Sequence, residues 1–399
     1  MSSATETWFV PVRRCLNTSS GWRLLPAKDG GNAENCRSNS GLVARRSQKI
    51  SPAITKLPSI IQTQPLADSS KAETLCVLRH NSSMKSKTLC LLALLGLLAC
   101  GQASEAPQAQ TVENARRTVA IGDIHSDINV MRNVFRLAGA INADDEWIGG
   151  ELTIVQLGDL IGRSDDEREV LDFMFALQEE AAVHGGRVYG LIGNHEIMGA
   201  RVDNQAVGPN PFAAYEDVQD LDMEDARLVN LPINQMYRGA ALMAGGPYAV
   251  RLAEFPAVLK LQDTVYVHGG VVPRWAEYGI EQINADISAW LRGDTLREPS
   301  ASQRVDDSDR VMWARHFSAR VDPFDCQMLQ ASLDILEAER MIVAHTRHSQ
   351  ITSYCDGRIW VIDTGMSRAY GGQIQALELI DDEVTRILDP DGHISLQAP

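Results

Sequence analysis

Residues 116–390 are predicted to form an α/β fold, with helices packed on β-sheets. Two patterns predict it. Short β-rich runs alternate with helical stretches from Thr118 onward. Five of the runs also end in a polar cluster, four of them with glycine, at the strand ends where α/β folds build their ligand sites.

The expected strands are Thr118–Ile121, Leu152–Leu157, Val188–Ile192, Thr264–Val267, Met341–Ala344 and Arg358–Ile362. The expected helices are Ile128–Ala138, Asp165–Val183, Ile280–Leu291 and Phe324–Leu336. In the second of these, Val170, Leu171, Met174, Phe175 and Leu177 fall at helical spacing. Residues 200–262 are less regular and are expected to cap the site. Residues 374–388 read as two closing strands, QIQALEL and VTRIL, joined by an acidic turn. Residues 391–399 form a tail.

Charge divides the chain. Residues 1–100 carry 13 Lys+Arg against 5 Asp+Glu, and the remainder carries 24 against 47. A body this acidic argues against nucleic acid or an anionic membrane surface as partner. Any phosphate site in it must be made locally cationic, by metals or by a few placed arginines.

At the junction, Met84 opens MKSKTLCLLALLGLLACGQ. Lys85 and Lys87 precede the apolar run Leu89–Ala99, which is shorter than the ~20 residues of a spanning helix. The pattern is that of a secretory signal over residues 84–100. Cys100, after Leu97-Leu98-Ala99, also resembles a lipobox cysteine, which would be lipidated and become the mature N-terminus. A plain signal peptide or an uncleaved membrane helix is the alternative. Residues 1–83 lack sustained periodicity and are expected to be a disordered extension or mis-annotated upstream sequence. Residues 101–115 read as a polar linker. The expected location is the periplasm or cell envelope. Beyond Cys100 only Cys326 and Cys355 remain. Such a compartment permits a disulfide between them, and two unpaired buried thiols are the alternative.

The clusters at the strand ends are Gly122-Asp123-Ile124-His125, Gly158-Asp159, Gly193-Asn194-His195-Glu196, His268-Gly269-Gly270 and His345-Thr346. Singly each is weak: Asp123 would serve as a helix cap and Asn194 as a turn residue. Together, hard oxygen ligands mixed with imidazole suit Mn, Fe or Zn better than a structural zinc, which favours cysteines.

The ordered series GDIH, GDLIGR, GNHE, HGG and AHT resembles the calcineurin-like metallophosphoesterases, closest to the Shewanella-like protein phosphatases of the phosphoprotein phosphatase branch. The stretches GGRVYGLIGNHEIM, VHGGVVPRWAEYGIEQIN and DGRIWVIDTGMSRAYGG extend the likeness over about residues 118–380. It implies a four-layer α/β/β/α sandwich with a dinuclear metal site. Asp123 and His125 would bind one ion, Asn194, His268 and His345 the other, and Asp159 would bridge them. The implied chemistry is hydrolysis of a phosphate monoester by a metal-bridging hydroxide, with His195 as general acid. The substrate would be a phosphoprotein, a phosphopeptide or a small phosphomonoester. Arg163 and Arg315 would grip the phosphoryl oxygens.

There are departures from the pattern. Gly162 replaces the acid that usually orients the general-acid histidine, which leaves Glu196, Asp165 or Asp166 as substitutes. Ser126 and Ser164 replace glycines. Gly162 also resembles the diadenosine polyphosphate hydrolases, so a phosphoanhydride or phosphodiester hydrolase is the alternative activity. A non-catalytic metal-stabilised binding protein is the remote one. His184, His316, His348 and His393 are expected to be surface groups, Trp275 and Trp290 packing residues. Tyr370 is left without a role.

Overall fold

The computed structural model describes residues 15–18, 21–24, 117–303 and 309–396. The signal-like segment 84–100 with Cys100, the linker 101–115, and residues 1–83 apart from one short hairpin lie outside the described residues. That hairpin pairs β1 (Cys15–Thr18) with β2 (Gly21–Leu24) antiparallel. Among the described residues no helix is long and apolar enough to cross a membrane.

Two mixed sheets form the body. The first takes β3 (Arg117–Ile121), β4 (Thr153–Gln156), β5 (Arg187–Gly190), β11 (Ala376–Ile380), β12 (Glu383–Leu388) and β13 (Ile394–Ser395), in the order β13-β12-β11-β3-β4-β5. The β3–β4 and β4–β5 pairs are parallel and the others antiparallel. The second takes β6 (Val258–Leu261), β7 (Thr264–Val267), β8 (Arg340–Val343), β9 (Thr352–Tyr354) and β10 (Ile359–Val361), in the order β6-β7-β8-β10-β9. Here β7–β8 and β8–β10 are parallel.

Side-chain alternation explains why the sheets stack. In β3, Val119 and Ile121 join the cluster that includes the helices, while Ala120 joins a second cluster with Val155 and Leu377 of the same sheet. That second cluster also holds Tyr266, Ile342 and Trp360 of the other sheet, so it is the seam between the two. Strands buried on both faces read as continuous apolar runs, which is how they were visible in the sequence.

Helices cover the outer faces. On the first sheet, α1 (Ile128–Leu137) packs on α2 (Glu167–Val183), and α2 on β5. On the second, α7 (Ile280–Leu291) packs on β6, while α6 (Pro273–Tyr278) contacts both α7 and α8 (Pro323–Leu336). The α/β/β/α sandwich expected from the resemblance is what forms. α1 is capped by Asp127, whose carboxylate accepts the Val130 N–H at 3.2 Å. Asp123 is therefore not the cap. α8 opens with Asp322 and Asp325 in a capping box around Pro323. The acidic turn between β11 and β12 is Asp381-Asp382, both at positive φ, as a tight hairpin requires.

The less regular segment, which begins where α3 (Asn194–Ala200) ends, holds more structure than expected: α4 (Ile233–Leu242), α5 (Pro247–Leu252) and strand β6. One buried carboxylate ties it down. Glu167, fully buried at the start of α2, accepts from Arg238 Nε at 2.7 Å and Nη2 at 3.0 Å, from Tyr215 Oη at 2.9 Å, and from the Gly162 N–H at 3.2 Å. Cys326 of α8 and Cys355, just after β9, are disulfide-bonded, so the alternative of two unpaired thiols does not hold.

Two stability outcomes follow from these ties. Arg238→Met strands the buried Glu167 charge and should cost about 3–5 kcal/mol in urea denaturation. An unchanged denaturation midpoint would contradict the pair's role. Replacing both cysteines by serine opens a loop spanning 29 residues in sequence and should cost about 3–4 kcal/mol in the oxidised protein.

Candidate metal centre

The six expected ligands and the expected general acid, His195, come from loops at the carboxyl ends of strands in both sheets. Asp123 and His125 follow β3, Asp159 follows β4, Asn194 and His195 open α3 after β5, His268 follows β7 and His345 follows β8. All seven are buried. His125, Asp159 and His345 sit at φ 49°, 54° and 65°. Left-handed backbone at non-glycine residues costs about 1–3 kcal/mol each and concentrates at functional sites. The loops also touch backbone to backbone: a Cβ on Gly158 would lie 2.5 Å from Gly193 N, so only glycine lets the Asp159 and Asn194 turns meet.

Asp159 is the shared member. Its Oδ1 faces His268 Nε2 at 3.3 Å, and its Oδ2 faces His125 Nε2 and His195 Nε2, each at 3.8 Å. Two groups able to hold a cation both contain it: His125–Asp159–His195, and Asp159–His268–His345. Asp123 Oδ2 stands 3.5 Å from His125 Nε2. Asn194 Oδ1 and His345 Nδ1 stand 3.0 and 3.2 Å from His268 Nε2.

These contacts fit a metal and fit poorly without one. His268 Nδ1 donates to the Leu157 carbonyl at 2.8 Å, which leaves Nε2 as a lone pair. That lone pair then faces the oxygens of Asn194 and Asp159. Electron pairs converge this way when a cation belongs between them. The electrostatics agree. A proton on Nε2 is the other way to meet those oxygens: burial pushes His268 down, yet Asp159 and Asp123 outweigh it and lift the imidazole to about 9, so the pocket favours a positive charge there, a metal's or a proton's. Burial and the Asp363 carboxylate hold Asp123 well above the usual carboxylate range. Burial also raises Asp159, but His268 and His195 prevail and hold it well below.

The arginines stand at the rim of a cleft of about 570 Å³ above these ligands. Arg163 is exposed, and its N–H donates to the Ala206 carbonyl at 2.9 Å, so residues 200–262 do reach the site. Arg315 Nη1 donates to the His345 carbonyl at 3.2 Å and to Thr346 Oγ1 at 2.9 Å. Tyr370 also lines the cleft, its ring 5.4 Å from that of His125.

The three acids considered as substitutes at the Gly162 position are engaged elsewhere. Glu196 accepts the N–H groups of Asp159, Ile161 and Gly193 at 2.9, 3.2 and 2.8 Å. Burial and Asp159 push it up to about 7. Asp165 accepts the Asn210 N–H, and Asp166 pairs with Arg368. Gly162 itself, at φ 84°, has no room for a side chain: a Cβ there would lie 2.1 Å from His195 Nδ1. The imidazole fills the space that the usual acid would take.

Asp363 and Arg347 also line the cleft, and the sequence reading gave neither a role. Asp363 is buried, and among the described residues its Oδ2 has no hydrogen-bond partner. It ends the run Arg358–Ile362, a sixth strand end carrying a polar residue, and that signal was there to be read. Of the histidines expected at the surface, His184 and His393 are exposed and His316 and His348 are half-buried, and none lines the cleft; Trp275 and Trp290 are buried packing residues as expected.

Removing metal should therefore destabilise the protein. Manganese at 100 times its dissociation constant should add about 2.7 kcal/mol to the stripped protein, read as a rise in melting temperature. Asp159→Asn should abolish most of that rise. A stripped wild type indifferent to Mn, Zn and Fe would argue against the site.

The calcineurin-like phosphoesterase profile matches residues 116–346. Shewanella-like protein phosphatase 2 of Arabidopsis thaliana is 33% identical over 307 residues, which cover 69% of this chain and 78% of that protein. Shewanella-like protein phosphatase 1 of Plasmodium berghei (strain Anka) is 30% identical over 259 residues, covering 63% and 67%. Among solved structures, the cold-active protein-tyrosine phosphatase of a psychrophilic Shewanella species shares the fold, with a TM-score of 0.56 at 22% identity over 71% of this chain and 81% of that one. Likeness of this extent, over the loops that converge on Asp159, makes the chain a phosphatase of the calcineurin-like phosphoesterase family, in the company of the Shewanella-like protein phosphatases.

Proposed function

We propose that the chain hydrolyses phosphate monoesters, on phosphoproteins, phosphopeptides or small phosphomonoesters. The observation that carries this reading is the sharing of Asp159 between two imidazole-containing groups beneath an arginine-rimmed cleft. The names of the relatives, protein phosphatase and protein-tyrosine phosphatase, support a phosphoprotein substrate.

Asp123 and His125 would hold one ion and Asn194, His268 and His345 the other, with Asp159 between them. Bound metals would supply an activated water and neutralise charge on the phosphoryl oxygens. The protein's own groups do the rest. Arg163 and Arg315 present forked N–H donors to the non-bridging oxygens and orient the ester for in-line displacement. His195 delivers the proton to the leaving oxygen. Burial pushes its imidazole down to about 3. A phosphate dianion and a developing alkoxide beside it act in the opposite sense and favour the imidazolium. Gly162 gives the imidazole its place. The phosphoanhydride alternative rested on that glycine, which packing against His195 accounts for.

Location in the periplasm or cell envelope is part of the same proposal. The Cys326–Cys355 disulfide supports it, because such bonds persist in oxidising compartments.

The test is turnover of p-nitrophenyl phosphate and phenyl phosphate by metal-stripped and manganese-loaded protein. Activity should require metal. His195→Ala should lose about 10²–10⁴-fold on phenyl phosphate, and less on p-nitrophenyl phosphate, whose leaving group needs no proton. Equal losses on both would remove His195 from the general-acid role. Hydrolysis of dinucleotide polyphosphates alone would replace the monoester reading.

A further inference from the structure

We propose that Arg347, braced on Tyr370, binds a second anionic group beside the scissile phosphoryl. The enzyme would then prefer phosphate monoesters flanked by a carboxylate. This inference rests on the monoesterase reading and adds the substrate class to it.

Arg347 is exposed, lines the same cleft as the metal-centre residues, and follows His345 by two positions. Its guanidinium lies over the Tyr370 ring, 4.0 Å from the centroid. Arg163 approaches the same ring at 6.0 Å, and the ring stands edge-on to His125. The stem is positioned too. A Cβ on Gly365 would lie 3.3 Å from both Arg347 Cδ and Tyr370 Cβ, so the glycine leaves the arginine its bed. A guanidinium stacked on an aromatic face keeps its N–H edge free for a planar anion.

Among the described residues Arg347 has no carboxylate partner, although the chain beyond residue 100 has 47 acids for 24 bases. Outside the cleft, Arg368 pairs with Asp127 and Asp166, Arg201 with Glu298, and Arg238 with Glu167. Arg163 and Arg315 already serve the phosphoryl group. A third arginine at the same mouth exceeds what one phosphate monoester requires. It sits where the next negative group of the substrate would fall.

The carboxylate has two possible sources, an acidic neighbour in a phosphopeptide or a small phosphomonoester that carries its own acid. Two matched pairs distinguish them: phosphotyrosine peptides with Asp or Asn beside the phosphotyrosine, and 3-carboxyphenyl phosphate against phenyl phosphate. kcat/KM is measured for all four with the manganese-loaded full chain and its R347Q and R347K variants, at low and high salt.

The wild type should prefer the acidic member of at least one pair by about tenfold, the worth of one charge-assisted hydrogen bond. The preference should lie mainly in KM and shrink at high salt. R347Q should bring the ratio to about one, and R347K should keep part of it. Preference in the peptide pair alone assigns the peptide source, and in the aryl pair alone the small-molecule source. A wild-type ratio near one in both pairs, or a ratio unchanged in R347Q, overturns the inference while leaving the monoesterase reading intact. No turnover of any of the four overturns the monoesterase reading itself, and this inference with it.

Discussion

The structure depends on the convergence of electron pairs around Asp159. Carboxylate oxygens, an amide oxygen and imidazole nitrogens from loops of both sheets crowd to 3.0–3.8 Å from one another. Left alone, such a cluster repels itself and desolvates charge at considerable cost. It persists because the surrounding fold over-determines it, and a cation turns the repulsion into binding. Much of the molecule serves that constraint: the two stacked sheets, the parallel strands whose ends point one way, and the glycines where ligand loops touch.

Two buried glutamates do the holding. Glu196 gathers three backbone N–H groups from the turns after β4 and β5, so those turns move as one piece. Glu167 reaches from α2 to the Gly162 N–H on one side and to Arg238 and Tyr215 on the other. The segment 200–262 is thereby coupled to the loop bearing Asp159 and Arg163, and the Arg163 N–H to Ala206 carbonyl bond closes the link from the other direction. A region without any readable motif thus acts on the site through two scattered side chains and one backbone carbonyl, which leave no local signature.

That is also why some of the site was legible in the sequence and some was not. Strand ends were legible: burial on both faces writes continuous apolar runs, and a ligand at a strand end writes a glycine and a polar residue directly after. All six expected strands formed, and the expected ligands converge. Asp127 and Asp123 illustrate the limit. Both precede α1, and only the structure separates the helix cap from the site residue. Asp363 followed the strand-end rule without a neighbouring histidine to draw attention to it. Arg347 obeys no rule of spacing at all. Its place in the cleft comes from stacking on Tyr370, which is far along the chain, and the absence of a carboxylate partner among the described residues is a property of the folded surface.

Gly162 shows how one departure from a pattern redirects a site. With an acid there, the histidine would be held by a charged hydrogen bond, which raises its basicity and fixes its ring. Here the ring packs directly against backbone, with Gly162 below and His125 edge-on at 4.7 Å. Orientation then comes from shape rather than from charge. Asp159, 3.8 Å from the ring's Nε2, is shared with His268 and His125, so the imidazole's affinity for a proton depends more heavily on the negative charge that enters the cleft. A dianionic ester supplies that charge only while it is bound. On the proposed mechanism the proton donor would be assembled by the substrate, and arginines selecting for negative charge at the mouth would belong with that imidazole to one electrostatic design.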